Sequence, residues 1–398
     1  MVIFKFQNMK RYILQSIFIA FILTFVACDD DSEKNNGIAP QMVDNISVIG
    51  MPGAVKIQYS IPDQNDFLYV QAEYINQQNK TVFVKSSLYN NFLEINGFLE
   101  EREYDITLTT FNRAGQQSEP HHIKATPLKS PIIKVFESLE MTKDFGGPRV
   151  TYTNQDKAQV GIIIISKDEY GNYKDSFAQF VQQEEGFVIA RGHKAEETVF
   201  GAYVSDKYGN LSDTLFATLT PYYEVEADYS TFRAANLPTD DPSAHGWHVH
   251  HLWDGKVGEP GYHTGSTTVN EGYAQLTIDI GKEKAITLSR FKLWQRNNIA
   301  RYGNGNPRKW QVYGSNNPDD KDSWVHFGDF EMFKPSGLPL GQTTQEDKDA
   351  ASAGHEYLMP SGIPAVRFIQ LRITETWLGP PTGVHFCELR FWGEYATN

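Results

Sequence analysis

Residues 104–118, YDITLTTFNRAGQQS, decide the fold of the N-terminal half of the chain. The segment begins with β-branched and aromatic side chains in partial alternation, which predicts a strand, and Gly115 supplies the positive φ of a hairpin turn. Residues 198–212, TVFGAYVSDKYGNLS, repeat this pattern with Gly209 in place of Gly115, an offset of 94 positions (209 − 115). Further identities at this offset are Ser118 with Ser212 and Thr126-Pro127 with Thr220-Pro221. The repeat predicts two consecutive domains of one kind.

The segments before the repeat unit also predict short strands. They are AVKIQYSI (54–61), FLYVQAEYI (67–75) and TVFVKSSLY (81–89), and residues typical of turns separate them. This spacing favours immunoglobulin-like or fibronectin-type-III-like sandwiches. We predict two of them, at residues 41–127 and 128–221. Because neither carries an obvious chemical constellation, we expect both to act as spacers.

The N-terminus has the layout of a secretory signal. A basic segment precedes the uncharged run of residues 12–26, which Ala27 and Cys28 close. This run is shorter than the ~20 apolar residues of a comfortable membrane span. It resembles the lipobox of bacterial lipoproteins, which implies a signal peptide over residues 1–27 and a lipid on Cys28. The alternative is an ordinary signal peptide with an incidental cysteine.

Residues 28–40 are predicted to be a solvated tether, because the sequence DDDSEKNNG that follows Cys28 cannot bury apolar area. The segment resembles the acidic export tag of Bacteroidetes surface lipoproteins. That resemblance implies a lipid-anchored protein on the outer face of the outer membrane. A plain acidic linker would look much the same.

Composition excludes some classes of partner. The chain has 36 Lys and Arg against 49 Asp and Glu, a net charge of −13, and no basic block, which disfavours nucleic-acid binding. Cys28 and Cys387 are the only cysteines, so lipidation of Cys28 leaves no intrachain disulfide. Cys387 lies in a strand-like segment and is predicted to be a buried thiol.

The remainder of the chain differs in composition from the two predicted sandwiches. All seven tryptophans lie there, and five of the eleven histidines fall between His245 and His263. Strand-like segments alternate with long loops, where binding groups are usually found. The tryptophans are Trp247, Trp253, Trp294, Trp310, Trp324, Trp377 and Trp392.

An ordered set of motifs in this region is familiar. The set is LWDG (252–255), AQLTIDIG (274–281), SRFKLWQR (289–296), PRKWQVYGSNNP (307–318), SWVHFGDF (323–330), VRFIQLRIT (366–374) and CELRFWG (387–393). It resembles the discoidin, or coagulation-factor type C, family. The resemblance implies a jelly roll with a galactose-binding-like fold over residues 228–395. The expected fold class is therefore all-β, with two tandem sandwiches followed by this jelly roll.

The whole chain resembles the multi-domain lipoproteins of Bacteroidetes glycan-utilisation systems. This resemblance implies a cell-surface protein that binds glycan for an outer-membrane uptake system, in which a transporter complex is a possible partner. An adhesin that binds protein or host glycoprotein is the alternative, and a glycan-active enzyme is the third. The chain has no GxSxG, P-loop or HExxH motif, so we expect it not to be an enzyme.

A sugar-binding site needs an aromatic plate with planar donors and acceptors around it. Trp294, Trp310 and Trp392 lie within strand-like segments and are predicted to be core residues. Loop segments hold the predicted sugar contacts, which are Trp377, Trp247, Arg296, Tyr302 and His250. Packing of the loop aromatics on one another is the alternative explanation. We expect Trp377 to be the stacking platform and Arg296 to bind hydroxyl groups.

The discoidin resemblance also implies a structural Ca²⁺ site. Asp254 and Glu388 stand where the family has its ligands, and Thr264 is a third candidate. The sequence departs from the family after Asp254, where Lys256 and Val257 replace an expected Asp or Asn. Asp254 as a turn residue is the alternative.

A zinc site is a weaker interpretation of the histidines at 245, 248, 250 and 251. They supply ligands of the right type, but their spacing matches no known zinc motif.

Overall fold

The computed structural model describes residues 38–63, 66–281, 284–298 and 300–396. These residues form seven antiparallel or predominantly antiparallel sheets and two short helices, α1 (Pro131–Glu137) and α2 (Gln345–Ala353). The prediction of an all-β fold is confirmed. No helix in the described ranges is long and apolar enough to span a membrane. Cys28, the predicted signal peptide and most of the predicted tether lie outside these ranges.

The described part of the chain divides after Ile133 into two compact units. The first contains a sandwich of a three-stranded sheet, β1-β2-β5, and a four-stranded sheet, β4-β3-β6-β7. Alternate residues of β2 and β6 point inward, among them Val55, Ile57, Ile106 and Leu108, which are fully buried. The strands are β1 (Asp44–Met51), β2 (Ala54–Ser60), β3 (Phe67–Ile75), β4 (Thr81–Ser87), β5 (Phe92–Asn96), β6 (Tyr104–Asn112) and β7 (His121–Ala125).

The second unit begins with another sandwich, which also consists of a three-stranded and a four-stranded sheet. Its sheets are β12-β9-β8 and β11-β10-β13-β14, and Ile162, Ile164 and Phe200 lie in its core. The strands are β8 (Glu140–Asp144), β9 (Gly147–Thr153), β10 (Val160–Lys167), β11 (Tyr173–Val181), β12 (Glu185–Ile189), β13 (Thr198–Ser205) and β14 (Leu215–Leu219).

The sequence repeat coincides with a repeated turn. Ser118 Oγ accepts from the backbone N–H of Thr110 at 3.0 Å, and Ser212 Oγ accepts from that of Val204 at 2.8 Å. Gly115 and Gly209 have φ of 77° and 81°. The identities at an offset of 94 residues therefore mark the same hairpin in both sandwiches, where a positive φ and a serine side-chain hydrogen bond are needed.

The C-terminal part of the second unit packs two larger sheets face to face, β15-β25-β19-β22 and β16-β18-β23-β20-β21, with a separate pair β17-β24. Successive strands pass repeatedly between the two sheets, as in a jelly roll. The strands are β15 (Val225–Glu226), β16 (Arg233–Ala234), β17 (Tyr262–His263), β18 (Ala274–Asp279), β19 (Ile286–Trp294), β20 (Pro307–Ser315), β21 (Val325–Glu331), β22 (His355–Leu358), β23 (Phe368–Thr376), β24 (His385–Phe386) and β25 (Glu388–Tyr395).

The core of this domain contains Trp310, Phe291 and Phe391. Trp310 is 1% exposed and Trp294 is also buried, as predicted for residues within strands. Trp392 differs from the prediction, because it is half-buried and the Arg290 guanidinium carbon lies 4.0 Å from its ring centroid.

Residues 222–227, between the second predicted sandwich and the predicted jelly roll, belong partly to the jelly roll. Val225 and Glu226 form β15, which pairs with β25. The sheet therefore begins three residues before the predicted start at residue 228.

Glu224, next to β15, connects the second sandwich to the C-terminal domain. Its carboxylate accepts from Arg191 Nη1 at 2.8 Å and from Arg290 Nη2 at 3.2 Å. Ser289 Oγ also donates to it. Because Arg191 lies in the second sandwich and Arg290 in β19, one buried carboxylate holds both domains.

Candidate functional site

The loop at residues 295–306 is held in place by two buried amide side chains. Asn306 Oδ1 accepts from the backbone N–H of Arg296 at 2.8 Å, and its Nδ2 donates to the carbonyl of Ala300 at 2.8 Å. Gln295 Oε1 accepts from the backbone N–H of Tyr302 at 2.7 Å. Asn306 and Gln295 are fully buried, so these bonds are not exposed to competition from water. The loop therefore presents Arg296 from a fixed backbone position at the end of β19.

Arg296 lies over Trp247 and is paired with Glu259. The guanidinium carbon is 5.0 Å from the centroid of the Trp247 ring, which is cation–π geometry. Arg296 Nε donates to Glu259 Oε1 at 2.7 Å and its Nη2 donates to Oε2 at 3.3 Å. The Arg296 and Glu259 side chains are 26% and 37% exposed, so both retain solvent-facing polar atoms. Two predicted sugar contacts, Trp247 and Arg296, are thus brought together.

A cleft of about 500 Å³ adjoins this pair. The Asn297 amide donates to Ser352 Oγ at 2.8 Å, and the Asn298 amide donates to Glu259. The cleft thus has planar amides, a carboxylate and a hydroxyl group in its wall, and the carboxylate of Glu259 connects it to the Arg296–Trp247 pair. It is lined by Val257, Gly258, Glu259, Asn297, Asn298 and Ser352.

Histidines support the aromatic side of the cleft. The His263 ring meets the Trp247 ring edge-on at 5.9 Å and the His385 ring at 5.0 Å. Burial, with His263 and Arg296 nearby, lowers the pKa of His385 to about 4. His385 is therefore neutral at physiological pH. Burial also lowers the pKa of His263, the ring that contacts Trp247.

The structure corrects the prediction for Tyr302. This side chain is 1% exposed and belongs to the hydrophobic core, so it is not available to contact a sugar. Its hydroxyl lies 3.1 Å from His355 Nε2. The turn at Ala300–Asn306 directs the Tyr302 ring into the core, where it packs beneath the loop and supports it.

Trp377 is not the exposed platform that the sequence predicted. It is half-buried against the core, with the Tyr302 ring edge-on at 5.5 Å and the Arg308 guanidinium carbon 5.5 Å from its centroid. Its backbone N–H donates to the carbonyl of Asn306 at 3.2 Å. The ring therefore packs against the core and against another loop aromatic, which matches the alternative in which loop aromatics pack on one another.

His250 is exposed in the short 3₁₀ helix Val249–Trp253. Its described ring contacts are with His248, at 5.5 Å, and His251, at 4.4 Å. Burial, together with these two histidines, lowers its pKa. His250 thus lies in a histidine stack, and its contacts do not include the Trp247–Arg296 pair.

The predicted calcium ligands Asp254 and Glu388 lie close enough for their charges to interact. Burial, with Asp254 adding to it, raises the pKa of Glu388 to about 7, and Oε2 of Glu388 has no hydrogen-bond partner among the described residues. Such an unpartnered buried carboxylate oxygen fits a cation site. Asp254 also accepts from the backbone N–H of Lys256 at 2.9 Å, which is the turn role given as the alternative.

Thr264 does not have a free hydroxyl for a metal. Its Oγ1 donates to the carbonyl of Gly265 at 3.1 Å and accepts from the backbone N–H of Val384 at 3.0 Å. The Thr264 side chain is fully buried. A cation at Glu388 would therefore take its other oxygens from carbonyls or water.

The zinc interpretation finds no support in the geometry. Within the described residues, no group of three or more His, Cys, Asp or Glu side chains is arranged to hold a metal ion. The histidine rings contact one another instead: His248 stacks on His250 at 5.5 Å, and His245 meets His263 edge-on at 4.7 Å.

Sequence reasoning missed Glu259 and Asn306. Glu259 follows a short segment with two glycines, Gly255 and Gly258, and nothing in the local pattern marks it as the partner of a residue 37 positions away. Asn306 sits in a loop rich in Asn and Gly, where a turn role is the default expectation.

Comparisons with known proteins match three domain families but do not name a function. Models of three domain families, each described as a domain of unknown function, match residues 40–127, 128–230 and 253–393. No curated protein matches the chain.

Solved structures to which the chain is similar include a SusE-like protein, at 28% identity and a TM-score of 0.44, covering 67% of this chain and 100% of that one. CBM62 from Clostridium thermocellum Xyl5A matches at 15% identity and a TM-score of 0.27, covering 44% of this chain and 99% of that one. Two fibronectin type III domains of chicken tenascin match at 11% identity and a TM-score of 0.21, covering 45% and 98%.

Proposed function

We propose that the chain is a cell-surface protein that binds carbohydrate through the loops of its C-terminal domain. The observation that carries the proposal is the cleft of about 500 Å³ lined by Glu259, whose carboxylate pairs with Arg296 over the Trp247 ring. The TM-scores of the similar structures are all below 0.5, so the proposal stands on this geometry.

The cluster has the chemistry that a sugar requires. Trp247 would offer the indole face opposite Arg296 to the C–H surface of a pyranose. Its contact with His263 restricts rotation of the ring. Arg296 and Glu259 hold each other in place and present a planar donor array beside a planar acceptor. Adjacent hydroxyl groups of a sugar need both. Asn297 and Asn298 extend this polar rim along the cleft.

We also propose a calcium ion at Asp254 and Glu388. Ca²⁺ would supply positive charge to the buried Glu388 carboxylate and tie the loop after Asp254 to β25. Calcium should then raise the melting temperature of the wild-type protein at pH 7, with EGTA as the reference. It should do so much less for Glu388→Gln. Equal shifts in both proteins would contradict the site.

The location that we propose is the outer face of the outer membrane, with a lipid on Cys28 and a glycan transporter complex as partner. This rests on the signal-like N-terminus and the acidic segment after Cys28. In that setting the protein would capture glycan for uptake.

The function is tested with residues 29–398, which retain every described residue, on a glycan array followed by calorimetry with the best oligosaccharide. Trp247→Ala should weaken binding about thirtyfold, because loss of a central aromatic anchor costs ~2 kcal/mol. Arg296→Ala should weaken it by at least tenfold.

His250→Ala is the matched control, since it changes an exposed ring in the same loop without touching the cluster. It should bind like the wild type. Normal binding by Trp247→Ala would refute the site. Binding to host glycoproteins that free sugars cannot compete would favour an adhesin instead.

A further inference from the structure

The second sandwich carries three exposed aromatic side chains on the outer face of its sheet β11-β10-β13-β14. Phe180 is 72% exposed, Phe216 is 50% exposed and Tyr173 is 42% exposed. We call this set the aromatic face. Aromatic side chains grouped on one sheet face leave apolar surface in water, and such a group is a candidate binding surface.

Two glycines determine how these rings lie. A Cβ atom built on Gly201 would lie 2.9 Å from Cε1 of Phe216, and one built on Gly161 would lie 3.2 Å from Cε1 of Phe180. Each ring therefore occupies the space above a glycine on the neighbouring strand. Each ring thus covers backbone on one side while remaining at least half exposed on the other, which is the presentation that stacking on a sugar requires.

Polar groups lie beside these rings. The Tyr203 hydroxyl donates to Asp175 Oδ1 at 3.2 Å on the same face of the sheet. Lys167 Nζ is 5.3 Å from the centroid of the Tyr173 ring, which itself lies 5.3 Å from that of Phe216. A carboxylate, a hydroxyl and an ammonium group thus flank the Tyr173–Phe216 pair, where they can bond to sugar hydroxyls.

The two glycines also set the spacing of the aromatic face. Phe180 pairs with Gly161, and Phe216 pairs with Gly201, which in turn pairs with Ile165 on the same strand as Gly161. Positions 161 and 165 are separated by ~13 Å along the strand. A single sugar ring cannot contact both ends, whereas an extended glycan chain can.

We propose that the aromatic face is a second carbohydrate-binding surface that takes an extended polysaccharide. At ~200 Å² for a whole aromatic side chain, the three exposed fractions sum to roughly 300 Å². This is less than half of the ~800 Å² per partner that a standard protein interface buries. A polymer that stacks on separate rings needs no continuous apolar patch. The inference is independent of the proposed C-terminal site, because it concerns other residues in another domain.

The test compares residues 29–398 with the double variant Tyr173→Ala/Phe216→Ala and with Phe180→Ala. Affinity electrophoresis in native gels with xylan, xyloglucan, galactomannan, arabinogalactan and amylopectin measures polysaccharide binding. Calorimetry with the short oligosaccharide selected on the array measures the C-terminal site. Phe333→Ala is the control, because Phe333 is an equally exposed phenylalanine outside the aromatic face.

The double variant should lose at least tenfold in affinity for one of these polysaccharides while its oligosaccharide affinity and melting temperature stay those of the wild type. Phe333→Ala should show no change. A double variant that retains wild-type affinity for all five polysaccharides would overturn the proposal, as would one whose only change is loss of self-association in sedimentation velocity. Trp247→Ala separates the two proposals. If it binds both ligands normally while the double variant loses the polysaccharide, the C-terminal site is wrong and the aromatic face stands.

Discussion

At the residue scale, Trp247 and Trp377 show how neighbours decide what a loop tryptophan does. Both are half-buried, and each has an arginine within 5.5 Å of its ring centroid. Trp377 also packs against the core and against the edge of Tyr302. Trp247 meets His263 edge-on and lies under Arg296, whose partner Glu259 lines the cleft. Trp377 therefore supports a loop, whereas Trp247 belongs to the cluster next to the cleft.

Replacing Trp377 should consequently affect stability. Trp377→Ala should lower the free energy of unfolding by ~2 kcal/mol. This loss is smaller than the loss expected on truncating a fully buried tryptophan, because the Trp377 ring is only partly covered. Trp310→Ala should cost ~3 kcal/mol or more as a core truncation. Chemical denaturation measures both. A Trp377→Ala protein with wild-type stability and no glycan binding would restore Trp377 as the platform.

His385 gives the protein a dependence on pH. Burial lowers its pKa to about 4, so the folded state favours the neutral ring. The unfolded chain binds the proton near pH 6.5, so stability is full above this value and falls as pH drops towards 4. His385→Leu should flatten part of this slope in denaturation experiments at pH 7, 5.5 and 4.5. The exposed His250, as His250→Ala, should leave it nearly unchanged.

Individual site residues were harder to predict than their chemical types. The sequence indicated that aromatic and planar polar side chains in loops form the site, and the structure brings Trp247 and Arg296 together. The sequence did not indicate that Tyr302 points inward, because the orientation of this side chain depends on the turn held by Gln295 and Asn306. Long-range pairs such as Arg296 with Glu259 leave no local pattern.

At the element scale, strand periodicity and turn residues predicted most strands of all three domains. The hairpins at Gly115 and Gly209 were predictable because positive φ demands glycine at both. The two-residue strand β15 was not, because two residues cannot show alternation. Its place in the sheet is set by pairing with β25, at the far end of the sequence.

The short strand β15 affects how the C-terminal domain should be isolated. We expect a fragment of residues 222–398 to be more stable than one of residues 228–398, because the second lacks Val225 and Glu226 and leaves the edge of β25 unpaired. Thermal unfolding of both fragments measures the difference. Equal melting temperatures would show that β15 is dispensable, and failure of both to fold would contradict an autonomous jelly roll.

At the scale of the whole molecule, the three-domain division and the lipid anchor remain predictions. Cys28→Ala should release the protein from membrane fractions, because one cysteine carries the predicted lipid. Fractionation with immunoblotting measures this, and Cys387→Ala is the matched control, since Cys387 is fully buried in the C-terminal core. Retention of Cys28→Ala in the membrane at the surface of intact cells would contradict the anchor.

The carboxylate of Glu224 has a consequence for polymer selection. It binds Arg191 of the second sandwich and Arg290 of the C-terminal domain, and so restricts the distance between the proposed aromatic face and the proposed cleft site. If both bind glycan, a single chain can engage both only when its length spans that distance. Affinity should then rise stepwise once the oligomer is long enough, and branches at the wrong interval should cancel the gain.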